Sequence, residues 1–203
     1  MKHFLYGRVA APEPTFDIQR SAYQLMQSDT LRQAEMNNWG SDFTERILYH
    51  PDGTSINSFN HGIFLDPLSE AWARDNVIQN FKDIRVSYTD VGKPRCGCHI
   101  DRTRNYTLIY LMRDGGPDHA TVFYRERGVN ELIRPPAHRV DYYSNLQEIS
   151  RCKLPLNTWM LLNARILHSI ENISLGRVSI QMGFDEFPAE LKLIDPVYVD
   201  DGI

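Results

Sequence analysis

Arg177-Val178-Ser179-Ile180-Gln181-Met182-Gly183-Phe184 alternates strictly, with polar or small side chains at the odd positions and apolar ones at the even positions. Successive side chains of a strand point to opposite faces, so this segment reads as a strand with one hydrophobic face. Its other face gathers Arg177, Ser179 and Gln181. Two environments produce such a pattern. On a surface strand the polar face is simply wet, whereas on a strand lining a barrel mouth it is the wall of a polar pocket. The sequence upstream favours the pocket.

Nine residues before Arg177 stands His168, across a turn-forming stretch from Asn172 to Gly176, and far ahead of both lies His99-Ile100-Asp101. The i, i+2 spacing puts His99 and Asp101 on one face of an extended segment, so both can hold one ion, with Ile100 pointing into the opposite layer. His168 must then arrive from a distant strand, as a closed β structure arranges. Two neutral imidazoles and one carboxylate are the ligand set of a non-haem Fe(II) site, which leaves three positions open for an oxidant and a chelating co-substrate. A strand, turn and return strand from His168 would bring Arg177 back beside the metal. Its guanidinium is a fixed fork that matches a carboxylate, and Ser179 on the same face adds a hydroxyl. Together they read as a site for the far carboxylate of a chelating keto acid. Each ligating histidine is expected to have its second ring nitrogen held by an acceptor.

Each piece alone is weak. An isolated His-x-Asp is common, and a lone histidine in an apolar strand is usually a half-buried structural residue. Cys96 and Cys98 precede His99 and admit a zinc reading, but only Cys152 remains to complete it and no second Cys/His pair has the spacing. Buried or pocket-lining thiols are the plainer reading of these cysteines.

Outward from the motifs, the chain changes texture near Ile84. Before it lie a Pro-containing loop (Ala10 to Pro14), helix-permissive stretches at Asp17–Gln33 and Leu68–Lys82, and polar turn-rich sequence between them. After it come short β-type segments at Arg85–Asp90, Tyr106–Met112, Thr121–Arg125, Thr158–Asn163, Ile166–Ile170 and Arg177–Phe184, punctuated by turns such as Asp114-Gly115-Gly116-Pro117. Many short strands with turn signals indicate a sandwich or barrel. The expected organisation is one domain over 1–203: a helical or irregular part (1–83), a β core (84–184) and a C-terminal tail (185–203).

At 203 residues the chain is long enough to bury a substantial core. Its 42% apolar and 24% charged residues are ordinary for a soluble protein. A net charge of −4 argues against a general nucleic-acid-backbone binder. Arg95, Arg102, Arg104 and Arg113, and again Arg125, Arg127, Arg134 and Arg139, cluster locally. They read most simply as a solvated rim around a cleft entrance, suited to an anionic substrate, small or peptidyl. No apolar run approaches the ~20 residues of a membrane span, and Met1–Arg8 does not read as a signal peptide. Three cysteines do not form a secreted disulfide framework, so a cytoplasmic setting is expected.

His99-Ile100-Asp101, His168 and Arg177-Val178-Ser179 resemble the motifs of the Fe(II)- and 2-oxoglutarate-dependent oxygenase superfamily, in its prolyl-hydroxylase-like branch. Tyr106–Met112, the Gly115-Gly116 turn and Thr121-Val122-Phe123 look like the strand pair after that branch's His-x-Asp. His168–Arg177 looks like its distal-histidine segment, about one residue shorter than usual. The resemblance covers Tyr88 to Phe184, about half the chain. It implies a mainly β protein with a double-stranded β-helix (jelly-roll, cupin-like) core and flanking helices. It also implies Fe(II) on His99, Asp101 and His168, with 2-oxoglutarate on Arg177 and Ser179, a hydrogen bond to the co-substrate from Tyr88 (Tyr106 and Tyr110 less so), and O2 as oxidant. Halogenating members replace the carboxylate with a small residue; Asp101 is present, so the resemblance implies hydroxylation or a related oxidation. Two rivals remain: a cupin-like metal enzyme that uses no keto acid, and a non-catalytic β-sandwich binding module.

Overall fold

The computed structural model describes residues 1–27, 48–49, 55–56, 60–89, 98–101, 103–135, 140 and 143–201. In chain order the elements are β1 (Lys2–Val9), α1 (Phe16–Gln27), β2 (Leu48–Tyr49), β3 (Ser55–Ile56), β4 (Asn60–Phe64), α2 (Pro67–Asn76), β5 (Asp83–Thr89), β6 (Tyr106–Asp114), β7 (Ala120–Glu126), β8 (Leu146–Cys152), β9 (Trp159–Asn163), β10 (His168–Glu171), β11 (Arg177–Phe184) and β12 (Leu193–Asp200). A large sheet runs β12-β1-β9-β6-β11-β5-β4, and a smaller one runs β10-β7-β8. His99 bridges His168 in antiparallel fashion, which lays the His99 segment along the free edge of β10.

From β5 onward the chain passes repeatedly from one sheet to the other. It lays β5 in the large sheet, the His99 segment against the small one, β6 in the large, β7 and β8 in the small, β9 in the large, β10 in the small and β11 in the large. That winding is a double-stranded β-helix, with β5-β11-β6-β9 facing the His99 segment-β10-β7-β8. Strands β1, β12 and β4 extend the large sheet beyond it.

Three apolar clusters define the layers. Val178, Ile180, Met182 and Phe184 of β11 pack with Leu108 and Tyr110 of β6 beneath Ile18, Ala22 and Ala73 of the two helices. Ile109 and Leu111 of β6, Met160 and Leu162 of β9, and Phe123 of β7 fill the space between the sheets. Val122 and Tyr124 pack with Cys98, Ile100 and Tyr143 on the outer side of the small sheet. Every residue of β11 is buried, so its polar face does not meet bulk water. The fold thus departs from the wet-surface alternative.

Helix α2 starts where its chemistry dictates. Asp66 caps it, accepting from Leu68 N at 3.0 Å and Ser69 N at 2.9 Å, with Pro67 in the first turn. The same carboxylate accepts from Ser21 Oγ of α1 at 3.2 Å, which ties the two helices together over the sheet. The helix expected to reach Lys82 ends at Asn76. Val77, Ile78 and Phe81 continue the apolar pattern, but Ile78 and Phe81 enter the core after the chain has turned.

Several further expectations are corrected. The stretch 1–83, read as helical or irregular, opens with β1 inside the large sheet, and 185–203, read as a tail, contains β12 paired along β1. Strand β8 was not expected. The connection from His168 to Arg177 is not a hairpin: β10 pairs with β7, whereas β11 lies between β5 and β6. It is a corner at which the chain changes sheets. The other corner, between β6 and β7, packs against it, with Gly115 O accepting from Ser174 N and Leu175 N, both at 2.8 Å. Gly115 has φ +90°, and a Cβ there would stand 2.7 Å from Ile173 Cδ1 and 3.1 Å from Arg177 Cβ. Only glycine fits this corner. The helix expected to continue to Gln33, and Arg95, Cys96, Arg102 and Arg139, lie outside the described residues.

Candidate metal centre

His99, Asp101 and His168 meet at the edge of the small sheet, each offering a ligand atom within 4.8 Å of the others. The backbone sets this up. His99 N donates to His168 O and His168 N to His99 O, both at 3.0 Å, which places the two histidines opposite each other with ring centroids 4.7 Å apart. Asp101 N donates to Ala164 O at 3.1 Å, fixing the third candidate ligand two residues further along the same segment. His99 Nε2 lies 3.4 Å and His168 Nε2 3.9 Å from Asp101 Oδ1. Metal–nitrogen and metal–oxygen bonds of about 2.1 Å put adjacent ligand atoms about 3 Å apart, so a slight inward movement of the rings closes this set around an ion. The residues present fit a divalent metal.

The electrostatics suit that role. His168 Nδ1 donates to Ile166 O at 2.9 Å; a carbonyl only accepts, so the proton is on Nδ1 and the lone pair on Nε2. Burial, with repulsion from His99, brings the His168 imidazole down to about 4, against the pull of Asp101. The ring is therefore neutral at neutral pH, as a ligand must be. Burial opposes ionisation of Asp101, yet the Arg104 guanidinium and the two imidazoles outweigh it and hold the carboxyl well below the usual carboxylate range. Asp101 Oδ2 is already taken: Arg104 Nε donates to it at 2.5 Å, and Thr107 Oγ1 lies 3.4 Å away. Oδ1 is the oxygen presented to the histidines.

A polar row leads away from this cluster along the inner face of β11. Arg104 Nη2 donates to Gln181 Oε1 at 2.8 Å, and Gln181 Nε2 donates to Ser179 Oγ at 3.0 Å. Arg177 follows two residues further on the same face, 3% exposed. Across the sheet, Ser87 of β5 is in register with Ser179 and is buried. Tyr88 pairs in register with Val178, and its side chain lies outside the described residues. Tyr110, the weaker candidate, packs in the helix-covered core and donates to Glu13, so it does not face the polar row. Tyr106 packs against that same core.

The structure thus brings His99, Asp101 and His168 together, and Arg177, Ser179 and Gln181 onto one buried face. Sequence reasoning missed Ser87, whose alternation with Val86 and Tyr88 on β5 carried the signal, and Thr107, which precedes the unbroken apolar run Leu108–Met112 of β6 and carried none. It placed Arg104 on a solvated rim; the side chain is 10% exposed. Arg125 is also buried, donating to Asp200 O at 3.0 Å. The two described cysteines lie apart: Cys98 is in the outer apolar layer, and Cys152 belongs to the inner one, where burial pushes its thiol up to about 12 despite Arg177. A surface groove of about 690 Å3 beside the two corners, lined by His119, Arg151 and Lys153 among others, contains none of the three ligands.

No family model matches the sequence, and no curated protein matches it. Among solved structures, the chain is similar to a prolyl-4-hydroxylase from Pseudomonas putida (9% identity, 89% of this chain and 94% of that one, TM-score 0.39). It is similar also to an oxidoreductase of the 2OG-Fe(II) oxygenase family from Burkholderia pseudomallei (11% identity, 83% and 93%, TM-score 0.40). A third is the epimerase SnoN in complex with Fe3+ and alpha-ketoglutarate (12% identity, 98% and 83%, TM-score 0.42).

Proposed function

We propose that the protein is an Fe(II)- and 2-oxoglutarate-dependent dioxygenase that hydroxylates a C–H bond of a small or peptidyl, anionic substrate. The observation that carries this reading is the pairing of a two-histidine, one-carboxylate cluster with a buried arginine–serine row on the adjoining strand. His99, His168 through Nε2, and Asp101 through Oδ1 would hold a divalent ion and take three of its positions, leaving the others for co-substrate and oxidant. With 2-oxoglutarate and O2, Fe(II) held there would supply oxidative decarboxylation, yielding succinate and CO2, and the oxidising power for C–H hydroxylation.

The chain's own part is orientation, charge and dryness. Arg177 is a buried guanidinium whose fork suits a carboxylate, and Ser179 stands beside it as a hydroxyl partner. One residue, Ile180, separates Ser179 from Gln181 at the metal end, and one, Val178, separates it from Arg177. A diacid with one end near the ligands and the other at Arg177 therefore lies along this row, roughly parallel to β11. Leu111, Phe123, Leu154 and Leu162 form the apolar interior around it, which limits water and strengthens each charge interaction. Phe123 also packs under the His168 ring, with centroids 6.2 Å apart. A buried arginine in a row that ends at the metal ligands favours this reading over a cupin-like enzyme without a keto acid.

The test is reconstitution with Fe(II) and measurement of succinate formed from 2-oxoglutarate under air. The expected result is slow, iron-dependent turnover without added substrate, absent in Asp101→Ala. Metal-loaded protein that neither binds nor consumes 2-oxoglutarate would overturn the assignment.

A further inference from the structure

Arg104 sits in the short stretch between Asp101 and β6, where no hydrophobic periodicity marks it, and it touches both halves of the site. We propose that Arg104 is a positioning residue: it confines Asp101 to one-oxygen ligation, and it sets the hydrogen-bond direction of the Gln181–Ser179 row so that Ser179 donates to a bound carboxylate. The inference rests on reading His99, Asp101 and His168 as metal ligands.

The first effect follows from occupancy. Arg104 Nε holds Asp101 Oδ2 at 2.5 Å in a charge-assisted bond, while Oδ1 faces both His99 Nε2 and His168 Nε2. For Oδ2 to join the metal, that bond must break around a guanidinium that is 10% exposed and whose Nη1 already has no hydrogen-bond partner. One-oxygen ligation keeps three metal positions open, the number that a chelating keto acid and an oxidant need together.

The second effect follows from donor counting. Arginine carries donors only, so the Gln181 amide must turn Oε1 toward Arg104 and Nε2 toward Ser179. Ser179 Oγ then accepts from Gln181, which frees its own O–H to donate elsewhere. Ser179 is flanked by Arg177 on its own strand and by Ser87 in register on β5; arginine carries donors only, so the Ser179 O–H can go to the Ser87 hydroxyl or to a bound carboxylate that Arg177 also reaches.

The test uses the full chain loaded with Mn(II). Water-proton relaxation counts metal-bound waters, and titration gives the 2-oxoglutarate affinity. Arg104→Lys keeps the charge, but one ammonium does not replace a fork on both Oδ2 and Oε1. The expected inner-sphere relaxation falls to about two-thirds of wild type as Oδ2 displaces one of three waters. Arg104→Met gives the same readout should the lysine variant not fold. In Gln181→Glu, nearly the same shape, the carboxylate accepts from Ser179 and turns its proton away. The expected 2-oxoglutarate Kd rises ~10-fold or more, and the rise shrinks when Ser179→Ala is the background. Unchanged relaxation in a folded Arg104 variant overturns the first effect, and an equal Gln181→Glu penalty with and without Ser179 overturns the second. Wild-type protein that binds no Mn(II) would overturn the metal-site reading itself, a result distinct from either.

Discussion

His168 makes the metal-free protein sensitive to mild acid. Its imidazole is held at about 4 in the fold, mainly by burial, with the His99 charge adding to it, whereas an unfolded histidine titrates near 6.5. The depressed value means that the native state prefers the neutral ring. The unfolded chain begins to take up a proton near pH 6.5, and the native state does so only near pH 4. This group's stabilisation is therefore full above pH 6.5 and is lost as pH falls through the interval down to 4. The whole shift corresponds to about 3 kcal/mol, of which about 2 kcal/mol is gone by pH 5. Asp101, whose folded value lies below 3.8, adds no slope in this window because it stays ionised in the fold and largely so in the unfolded chain. Urea unfolding of metal-free wild type and His168→Gln at pH 7.5 and pH 5.0 isolates the effect, since other groups cancel in the difference. Wild type is expected to lose about 2 kcal/mol more than the variant between the two pH values. Equal losses would refute the account of a buried, neutral His168.

Two further outcomes follow from the packing. Asp101→Ala abolishes binding of divalent metal and leaves Arg104 buried without its anion, at a cost of about 3–5 kcal/mol in urea unfolding; adding Arg104→Met in the same chain restores most of that loss. Gly115→Ala drives a Cβ into Ile173 and toward Arg177 at a positive φ, costs about 2 kcal/mol or more, and weakens 2-oxoglutarate binding because the Arg177 end of β11 must shift; a wild-type melting temperature would contradict the corner packing.

What the sequence revealed depended on whether an element has two different faces. Strand β11 has a helix-covered apolar face and a buried polar one, so its alternation was legible and its polar face pointed to the site. Strand β1 has no such contrast: Phe4 packs on the helix side while Leu5 packs between the sheets, and two buried neighbours in a row erase the period of two. Strand β12 is the opposite case, an edge strand with a proline and mostly half-exposed or exposed side chains, which reads as tail. The corner from β10 to β11 was read as a hairpin because turn residues between two β segments do not say whether the chain returns to the same sheet. Arg104 escaped for a related reason. It lies in a short aperiodic link, and its burial comes from Asp101, three residues before it, and Gln181, far along the chain. The cluster of His99, Asp101 and His168 was legible because the identities and spacing of its residues, rather than their surroundings, mark it as a candidate metal site.

The most direct test of the central claim is anaerobic titration of Fe(II)-loaded protein with 2-oxoglutarate, followed by visible absorption. A saturable metal-to-ligand charge-transfer band that is lost or strongly right-shifted in Arg177→Met, with metal content unchanged, is the result this account predicts. No band in wild type, with Fe(II) confirmed bound, would contradict it and leave a metal protein that does not use this keto acid.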